Sequence, residues 1–367
     1  FKPAALPEAV LKARANLMRT AASKNLLEKA LVKIPFFFSI DYIIDETSEC
    51  AADVVLPQCH ALEMLQPFCN TPFHSSGSTF EAVVYGMFRP VVKPPGEARS
   101  TPEILLDLAE ALDFYEDYIL ALNYMLALQP PYVLDPKKKY TWEEICDIWI
   151  KAWCGGEEGA RLYKEKGIIT FKKEPKHRYP RTSVKGRCPI YFEHFIDTGK
   201  KLEEVTKEMG IKWDTSWYTP LPQWRPCITY QKKKPNELYV VNFKVPIHTH
   251  SYTSYNPLLV DISERHPWVY KIAISSKAAA ERGIKDGDRI VVESEVGRVE
   301  GIAHVTEALH PEVVAIPGCL GAWAKSSGVG LGKGVHWNTL IPQKPETLDI
   351  MAATIDHCTN VKVYKLE

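Results

Sequence analysis

The fold is decided by a turn that leads into an apolar strand, in the stretch Gly283-Ile284-Lys285-Asp286-Gly287-Asp288-Arg289-Ile290-Val291-Val292. Asp-Gly is a favoured turn dipeptide, and the β-branched run that follows it is typical of a strand. The same pattern of short apolar runs predicts further strands at residues 238–241, 297–305, 312–316 and 360–364. Closely spaced strands with glycine turns indicate a small β-barrel.

A loop rich in hydrogen-bonding side chains follows the first of these strands, in the stretch Ile247-His248-Thr249-His250-Ser251-Tyr252-Thr253-Ser254-Tyr255-Asn256-Pro257. His248 and His250 alternate, so on an extended segment both would point to one face, as metal ligands can. No third ligand of suitable spacing stands nearby, which argues against a metal site. Two interpretations remain. Either the imidazoles serve, together with Ser251, Thr253 and Lys244, as hydrogen-bond donors to a bound cofactor, or the loop is a strand edge whose polar side chains are already hydrogen-bonded.

The first third of the chain has an α/β pattern. Leu26–Val32 has the apolar spacing of an amphipathic helix, and the apolar strand Phe36–Ile40 follows it and ends at Asp41. Ala51–Pro57 is a second β-branched run, and Thr101 is predicted to cap a helix that extends to Leu112. Residues 1–115 are therefore expected to form part of a parallel-sheet domain.

Asp41 stands where a parallel strand ends, which is the usual ligand edge of such sheets. A carboxylate there can accept two hydrogen bonds from the ring and amino nitrogens of a guanine, and it can equally be a solvated helix cap. Asn338 presents a similar choice, because an Asn beside Trp337 can pair with a heterocycle edge or simply occupy a turn.

Composition excludes several classes of function. The 45 Lys and Arg residues balance the 45 Asp and Glu residues, so there is no basic field that would attract nucleic acid. The nine cysteines include no C-x-x-C pair, which argues against zinc or iron–sulfur ligation. No apolar stretch approaches the roughly twenty residues that span a bilayer. The glycine-rich residues 328–334 match neither a P-loop nor a dinucleotide fingerprint, and we expect a mobile loop at the rim of a site.

These pieces, in this order, resemble the C-terminal part of the molybdopterin oxidoreductases, the dimethyl sulfoxide reductase family. The matching stretches are His248–Thr253, Ala280–Val292, Asn338–Leu340 and Val361–Val363, and residues 237–244 look most like the thiosulfate and polysulfide reductase catalytic subunits. Residues 45–57 resemble the Glu-Thr, Ala-Asp-Val-Val-Leu-Pro signature of the family, with one extra residue. Asn16-Leu17 stands where the family usually has Asn-Pro.

The resemblance implies an α/β plus β fold, in which part of a Rossmann-like parallel-sheet domain is followed by a double-psi β-barrel. Residues 1–115 would be the C-terminal part of the α/β molybdopterin oxidoreductase domain. Residues 116–236 would be a connecting helical and irregular region, and residues 237–367 would be the molybdopterin dinucleotide-binding barrel.

The implied cofactor is bis(molybdopterin guanine dinucleotide) with molybdenum or tungsten. Residues expected to approach one guanine dinucleotide from the sheet domain are Asn16, Asp41 and Thr47. Residues expected to line the pterin and phosphates from the barrel are Lys244, His248, His250, Ser251, Thr253, Asn338 and His357. No metal ligand or catalytic group is assigned to this chain.

The resemblance also implies an enzyme to which this chain contributes only a half. The metal ligand and a 4Fe-4S cluster are expected in an N-terminal part upstream of Phe1 or in a partner, so the chain alone should be inactive. The expected partners are an N-terminal half or complementary catalytic chain, an iron–sulfur electron-transfer subunit and a membrane anchor subunit, without nucleic acid. The expected reaction is oxygen-atom, sulfur, or hydride and electron transfer, in the cytoplasm or periplasm. The alternatives are a non-catalytic scaffold that kept the fold and a non-redox hydratase whose metal acts as a Lewis acid.

Overall fold

The structure is a computed structural model. It describes residues 7–69, 82–172, 174, 190–224, 226, 233–344, 347–349, 354–355 and 357–367. The chain divides into two compact units: the first comprises Phe1–Ser39, Ile43–Val55 and Pro189–Glu367, and the second comprises Ile40–Tyr42 and Leu56–Cys188. The predicted domain boundaries at residues 115 and 236 do not coincide with the boundaries of the compact units. The division into three domains remains a prediction.

The N-terminal segment of the first unit alternates strands and helices, as expected. Its elements are β1 (Ala9–Ala13), α1 (Leu17–Thr20), α2 (Lys24–Leu31), β2 (Phe36–Asp41), α3 (Glu46–Ala51) and β3 (Val54–Pro57). The strands form a sheet in the order β1-β2-β3. Strands β2 and β3 run parallel, because the amide nitrogens of Asp53 and Gln58 donate in turn to the carbonyls of Phe37 and Asp41. The predicted helix and both predicted strands are thus confirmed.

The second unit combines a small antiparallel sheet with helices. Its elements, besides the ends of β2 and β3, are β4 (Gln66–Cys69), β5 (Ala82–Phe88), α4 (Thr101–Ala111), α5 (Tyr115–Met125), α6 (Trp142–Cys154), α7 (Gly156–Lys166) and β6 (Ile168–Lys172). Ile119, Leu134 and Ile145 are buried in a core between the helices. The predicted cap of α4 is wrong by one residue, because Ser100 and Glu103 form the capping box that begins this helix.

The C-terminal part of the first unit contains a β-barrel and several helices. Its elements are α8 (His194–Glu208), β7 (Leu238–Phe243), α9 (Pro257–Arg265), β8 (Ile272–Ser275), α10 (Ser276–Glu281), β9 (Arg289–Glu293), β10 (Arg298–Thr306), β11 (Val313–Pro317), β12 (Leu348–Asp349), β13 (Thr354–Ile355) and β14 (Thr359–Lys365). Within the described residues, six strands close into a barrel in the order β10-β8-β11-β7-β14-β9. Two pairs, β7 with β11 and β8 with β10, are parallel, and the others are antiparallel. This is the predicted double-psi barrel.

The turn that opens β9 has the geometry that its sequence predicts. Gly287 has a φ of 85°, a left-handed conformation that glycine adopts without strain. The Asp288 carboxylate accepts a hydrogen bond from the Lys285 amide at 2.8 Å, and the Gly287 amide donates to the Ala303 carbonyl at 3.0 Å. The turn therefore connects the end of α10 to the barrel, which is a structural role.

None of the helices in the described ranges is long and apolar enough to cross a membrane.

Candidate functional site

The histidine loop, residues 247–257, is folded back on itself. His250 has a left-handed backbone with a φ of 50°, and a short 3₁₀ helix covers Tyr252–Tyr255. Asn256 then caps α9 by accepting hydrogen bonds from the amides of Leu258 and Leu259. The expectation that His248 and His250 alternate on an extended segment is therefore wrong, because the left-handed backbone of His250 turns the chain.

His248 connects two parts of this loop and also binds the loop to α9. Its Nδ1 atom lies 3.2 Å from the Thr253 hydroxyl, and its Nε2 atom lies 2.8 Å from the hydroxyl of Ser263 on α9. The Thr253 hydroxyl also accepts a hydrogen bond from the Thr249 amide at 2.8 Å. Burial lowers the pKa of His248, so the ring is held neutral and both of its nitrogens bind neighbours within the protein.

The first unit contains a buried carboxylate, that of Glu46. Glu46 Oε1 accepts hydrogen bonds from Arg19 Nη1 at 3.0 Å and from the Trp323 amide at 3.1 Å. Glu46 Oε2 accepts from Asn16 Nδ2 at 2.6 Å and from the Tyr255 hydroxyl at 3.4 Å. Burial acts to raise the pKa of Glu46, but the Arg19 charge and the Asn16 hydrogen bond outweigh it and lower the pKa. The carboxylate is therefore ionised, and we call it and its four donors the Glu46 hub.

Thr47 lies beside the hub and is completely buried. Its hydroxyl donates to Asn16 Oδ1 at 3.1 Å and accepts a hydrogen bond from the Met18 amide at 2.9 Å. Asn16 thus uses both ends of its side-chain amide within the protein. These contacts fix the start of α1 against α3.

Asn338 contacts the same helix from the barrel. Its Nδ2 atom donates to the carbonyls of Arg19 at 2.9 Å and Thr20 at 3.1 Å. The Nε2 atom of His336 also lies 3.1 Å from the Arg19 carbonyl. Burial lowers the pKa of His336 to about 4, so this imidazole is neutral. The Asn338 amide nitrogen therefore binds the end of α1.

Further contacts attach barrel loops to the N-terminal segment. The Tyr252 hydroxyl donates to the Arg14 carbonyl at 2.7 Å, and the Lys325 amide donates to the Glu49 carboxylate at 2.7 Å. The first part of the glycine-rich stretch lies in a 3₁₀ segment, Lys325–Gly330, which is kinked at Gly328, where φ is 52° and ψ is −121°. It packs closely on the histidine loop, because a Cβ atom at Gly330 would collide with the Ser254 carbonyl.

The predicted site residues fall into three groups. The hydrogen bonds above bring Asn16, Thr47 and Asn338 together around α1, and they join His248 to Thr253. Lys244, His250 and His357 have exposed side chains, and Ser251 is half-buried at the start of the 3₁₀ helix. Asp41 is 6% exposed at the end of β2 and belongs to the second unit.

Five residues with a role in these contacts were not predicted from the sequence: Arg19, Glu46, Tyr255, Ser263 and Trp323. A signal was present for Arg19, because it lies on α1 three residues after Asn16, the residue that precedes this helix, and such a spacing brings side chains near one another. Nothing in the sequence indicates that the amide of Trp323 binds a carboxylate 277 residues away.

The chemistry of the exposed loops fits a large anionic ligand. Lys244, Thr249, His250 and Lys325 are exposed and offer cationic or short polar donors, which suit phosphate oxygens. In the described part of the chain, the buried hydroxyl of Ser327 has no hydrogen-bond partner within the protein. Among the same residues, no group of three or more His, Cys, Asp or Glu is placed to hold a metal ion.

Comparison with known proteins gives two family matches and several relatives. The model of the Molybdopterin oxidoreductase family matches residues 4–111, and that of the Molydopterin dinucleotide binding domain matches residues 238–356. The thiosulfate reductase molybdopterin-containing subunit PhsA of Salmonella typhimurium is 25% identical over 356 residues, which cover 91% of this chain and 41% of PhsA. The dimethyl sulfoxide reductase DmsA of Escherichia coli is 24% identical and is matched over 81% of this chain and 34% of its own length.

The acetylene hydratase from Pelobacter acetylenicus has a similar fold. It superimposes with a TM-score of 0.64 and 18% identity over 100% of this chain and 45% of the hydratase chain. The chain thus spans about two fifths of the length of PhsA and less than half of the hydratase. Two family models matched in the expected order, on an α/β segment and a barrel of the expected topology, show that the chain belongs to the molybdopterin oxidoreductase family.

Proposed function

We propose that this chain is the C-terminal, cofactor-binding half of a molybdenum- or tungsten-dependent oxidoreductase, and that its cofactor is bis(molybdopterin guanine dinucleotide). One observation carries the proposal. Segments from both regions that the family models match belong to one compact unit, namely residues 7–39 and 43–55 from the first region and the barrel from the second, and the buried Glu46 hub links them. A cofactor that is bound from both a sheet domain and a barrel requires such a connection.

The predicted residues divide into direct donors and supports. We propose that Lys244, His250, Ser251 and His357 donate to phosphate or pterin groups, because their side chains are exposed or half-buried at the barrel surface. His248 and Thr253 would hold the shape of the loop that carries two of these donors, since their polar atoms bind each other.

The N-terminal residues support the site in a similar way. We propose that Asn16, Thr47 and Asn338 fix α1 beside the cofactor, because the side chain of each forms at least one hydrogen bond with that helix or with its neighbour α3. For Asp41 we propose the guanine-binding role that its position at the end of β2 suggests.

When bound, the metal of the cofactor would supply the redox chemistry. The residues of this chain would bind the dinucleotide, orient it and neutralise its phosphates. We propose an N-terminal half or complementary catalytic chain as the partner that supplies the metal ligand and a 4Fe-4S cluster. An iron–sulfur electron-transfer subunit and a membrane anchor subunit would complete the assembly. PhsA is itself described as a subunit, which supports this organisation.

Metal analysis, pterin release and an acceptor-dependent assay together test the proposal. The protein purified with its natural partners should contain molybdenum or tungsten, and oxidation of the denatured sample should release a fluorescent pterin. Turnover with thiosulfate, polysulfide or an oxyanion should require an electron donor. Absence of both metal and pterin would instead identify a scaffold. Conversion of a substrate that requires neither an electron donor nor an electron acceptor would identify a hydratase.

A further inference from the structure

We propose that Glu46 is a positioning residue for the cofactor site. Its carboxylate would hold two barrel segments, the tyrosine segment (residues 251–256) and the Trp323 segment (residues 318–325), in fixed positions relative to α1 and α3. The inference rests on the proposed function in one respect, namely that a pterin dinucleotide is what these segments help to retain. The mechanical role of Glu46 can be tested whether or not that cofactor is present.

The carboxylate is saturated by donors from separate parts of the chain. An ionised carboxylate offers about four acceptor positions. Oε1 binds Arg19 and the Trp323 amide, and Oε2 binds Asn16 and the Tyr255 hydroxyl. The donors thus come from α1, from the residue that precedes it, from the tyrosine segment and from the Trp323 segment. One side chain on α3 therefore connects both barrel segments to the N-terminal segment.

Arg19 forms a second connection to the Trp323 segment. Its Nη1 atom binds Glu46, and its Nη2 atom donates to the Cys319 carbonyl at 2.6 Å. Cys319 has a φ of 67°, a left-handed conformation that is unfavourable for a residue with a Cβ atom. The planar guanidinium can bind both partners at once, so it holds the Cys319 carbonyl in the direction that this backbone requires.

The hub depends on a negative charge. The side chains of Arg19 and Glu46 are 1% and 0% exposed, so neither charge is compensated by water. A glutamine at position 46 would keep the size but replace one acceptor oxygen by a donor. At least one neighbouring donor would then lose its partner, and the buried guanidinium would lose its counter-charge.

Asp45, the N-cap residue of α3, directly precedes Glu46 and provides a matched control. Asp45 forms a buried ion pair with Lys12 at 2.7 Å, with side chains that are 9% and 1% exposed. Asp45 also caps α3 by accepting from the amides of Thr47 and Ser48, a role that asparagine fills equally well. Asp45→Asn therefore removes a buried carboxylate charge from the same helix, whereas the contacts with Trp323 and Tyr255 belong to Glu46.

The experiment compares Glu46→Gln with Asp45→Asn in the intact enzyme, purified with all its chains. Hydrogen exchange of backbone amides is followed by mass spectrometry in peptides that cover the tyrosine and Trp323 segments. Because hydrogen bonds to a charge are lost, Glu46→Gln should speed exchange in both segments by about tenfold or more. Release of pterin after gel filtration should accelerate in parallel. Asp45→Asn should leave exchange in both segments unchanged, even if it lowers the melting temperature.

A second variant covers the case in which Glu46→Gln does not fold. Arg19→Lys keeps the charge but cannot bind Glu46 and the Cys319 carbonyl in one plane, so exchange should speed up in the Trp323 segment first. Unchanged exchange in both segments of a folded variant, or equal acceleration in Asp45→Asn, would overturn the inference and leave Glu46 with a general structural role. A wild-type protein that contains no pterin would contradict the proposed function alone, because the exchange pattern would still decide the role of Glu46.

Discussion

His336 shows how a single buried side chain can make the stability of this protein depend on pH. Its ring nitrogens lie 3.1 Å from the Arg19 carbonyl and 2.9 Å from the Thr339 hydroxyl, and Trp323 packs against it at 4.8 Å between ring centres. Burial lowers the pKa of His336 from 6.5 to about 4. The charges of Arg19 and Lys24 act in the same direction, and that of Glu46 opposes them.

We expect the free energy of unfolding to fall as the pH falls from about 6.5 to about 4. Over this range the unfolded chain binds a proton at His336 that the folded protein does not bind, so acid favours unfolding. One pKa unit corresponds to about 1.4 kcal/mol, so the loss should be about 3 kcal/mol. Glu46 adds a loss below its ordinary pKa of 4.5, because its pKa is lowered in the folded protein. Urea unfolding at pH 7.5 and 5 should show a smaller difference for His336→Gln than for the wild type; an equal difference would contradict this account.

Ser263 is expected to stabilise the histidine loop through His248. It is completely buried, and its hydroxyl lies 2.8 Å from His248 Nε2. Ser263→Ala would leave this nitrogen without its partner and should lower the free energy of unfolding by about 1 to 3 kcal/mol. Urea denaturation measures this change, and proteolysis within residues 247–257 should become faster. A variant as stable as the wild type would show that water replaces the serine hydroxyl at no cost.

At the scale of the elements, two glycines with similar backbone conformations allow the energetic cost of backbone strain to be distinguished from that of a steric collision. Gly321 and Gly332 have φ values of 74° and 70°. A Cβ atom at Gly321 would collide with the backbone of Val335 and His336, whereas at Gly332 it would meet nothing within 4 Å. Both alanine variants therefore carry the strain of a left-handed residue, but only one also forces a loop to move.

Gly332→Ala should lower the free energy of unfolding by about 1 to 2 kcal/mol, the cost of the left-handed conformation. Gly321→Ala should lower it by a further 1 to 3 kcal/mol or so, because the segment that carries His336 must shift. Chemical denaturation of both variants beside the wild type measures the difference. Equal effects would mean that the Gly321 turn is not packed as closely as the structure shows.

The barrel strands could be predicted from sequence because their apolar runs are bounded by turns. The glycine turn at residue 287 and strand β9 are where the sequence places them. Strand β8 was not predicted, since Ile272–Ser275 is short, buried throughout and runs directly into α10. A four-residue apolar run carries no periodicity, so only pairing with β10 and β11 defines it as a strand.

The candidate site was predictable only in part. The resemblance selects Asn16, Thr47 and Asn338, but it cannot show that their side chains bind α1 and its neighbours. Such contacts depend on tertiary distances, as when the Arg19 guanidinium meets the carbonyl of a residue 300 positions later. The extended conformation expected for the histidine loop failed because the left-handed backbone at His250 turns the chain.

At the scale of the whole molecule, the first compact unit unites residues 7–39 and 43–55 with the barrel. Residues far apart in sequence share one buried polar centre there, and exposed residues of the same unit offer cationic and short polar donors. The second unit has its own helical core. This organisation supports the central proposal that the chain holds a pterin dinucleotide.

Counting guanine nucleotide and metal in the purified enzyme tests that proposal most directly. Acid hydrolysis of the denatured protein releases guanosine monophosphate, which chromatography quantifies, while mass spectrometry of the same sample quantifies molybdenum and tungsten. The account predicts two guanosine monophosphates for each atom of molybdenum or tungsten. A protein that yields neither the nucleotide nor the metal, although purified intact with its partners, would contradict it.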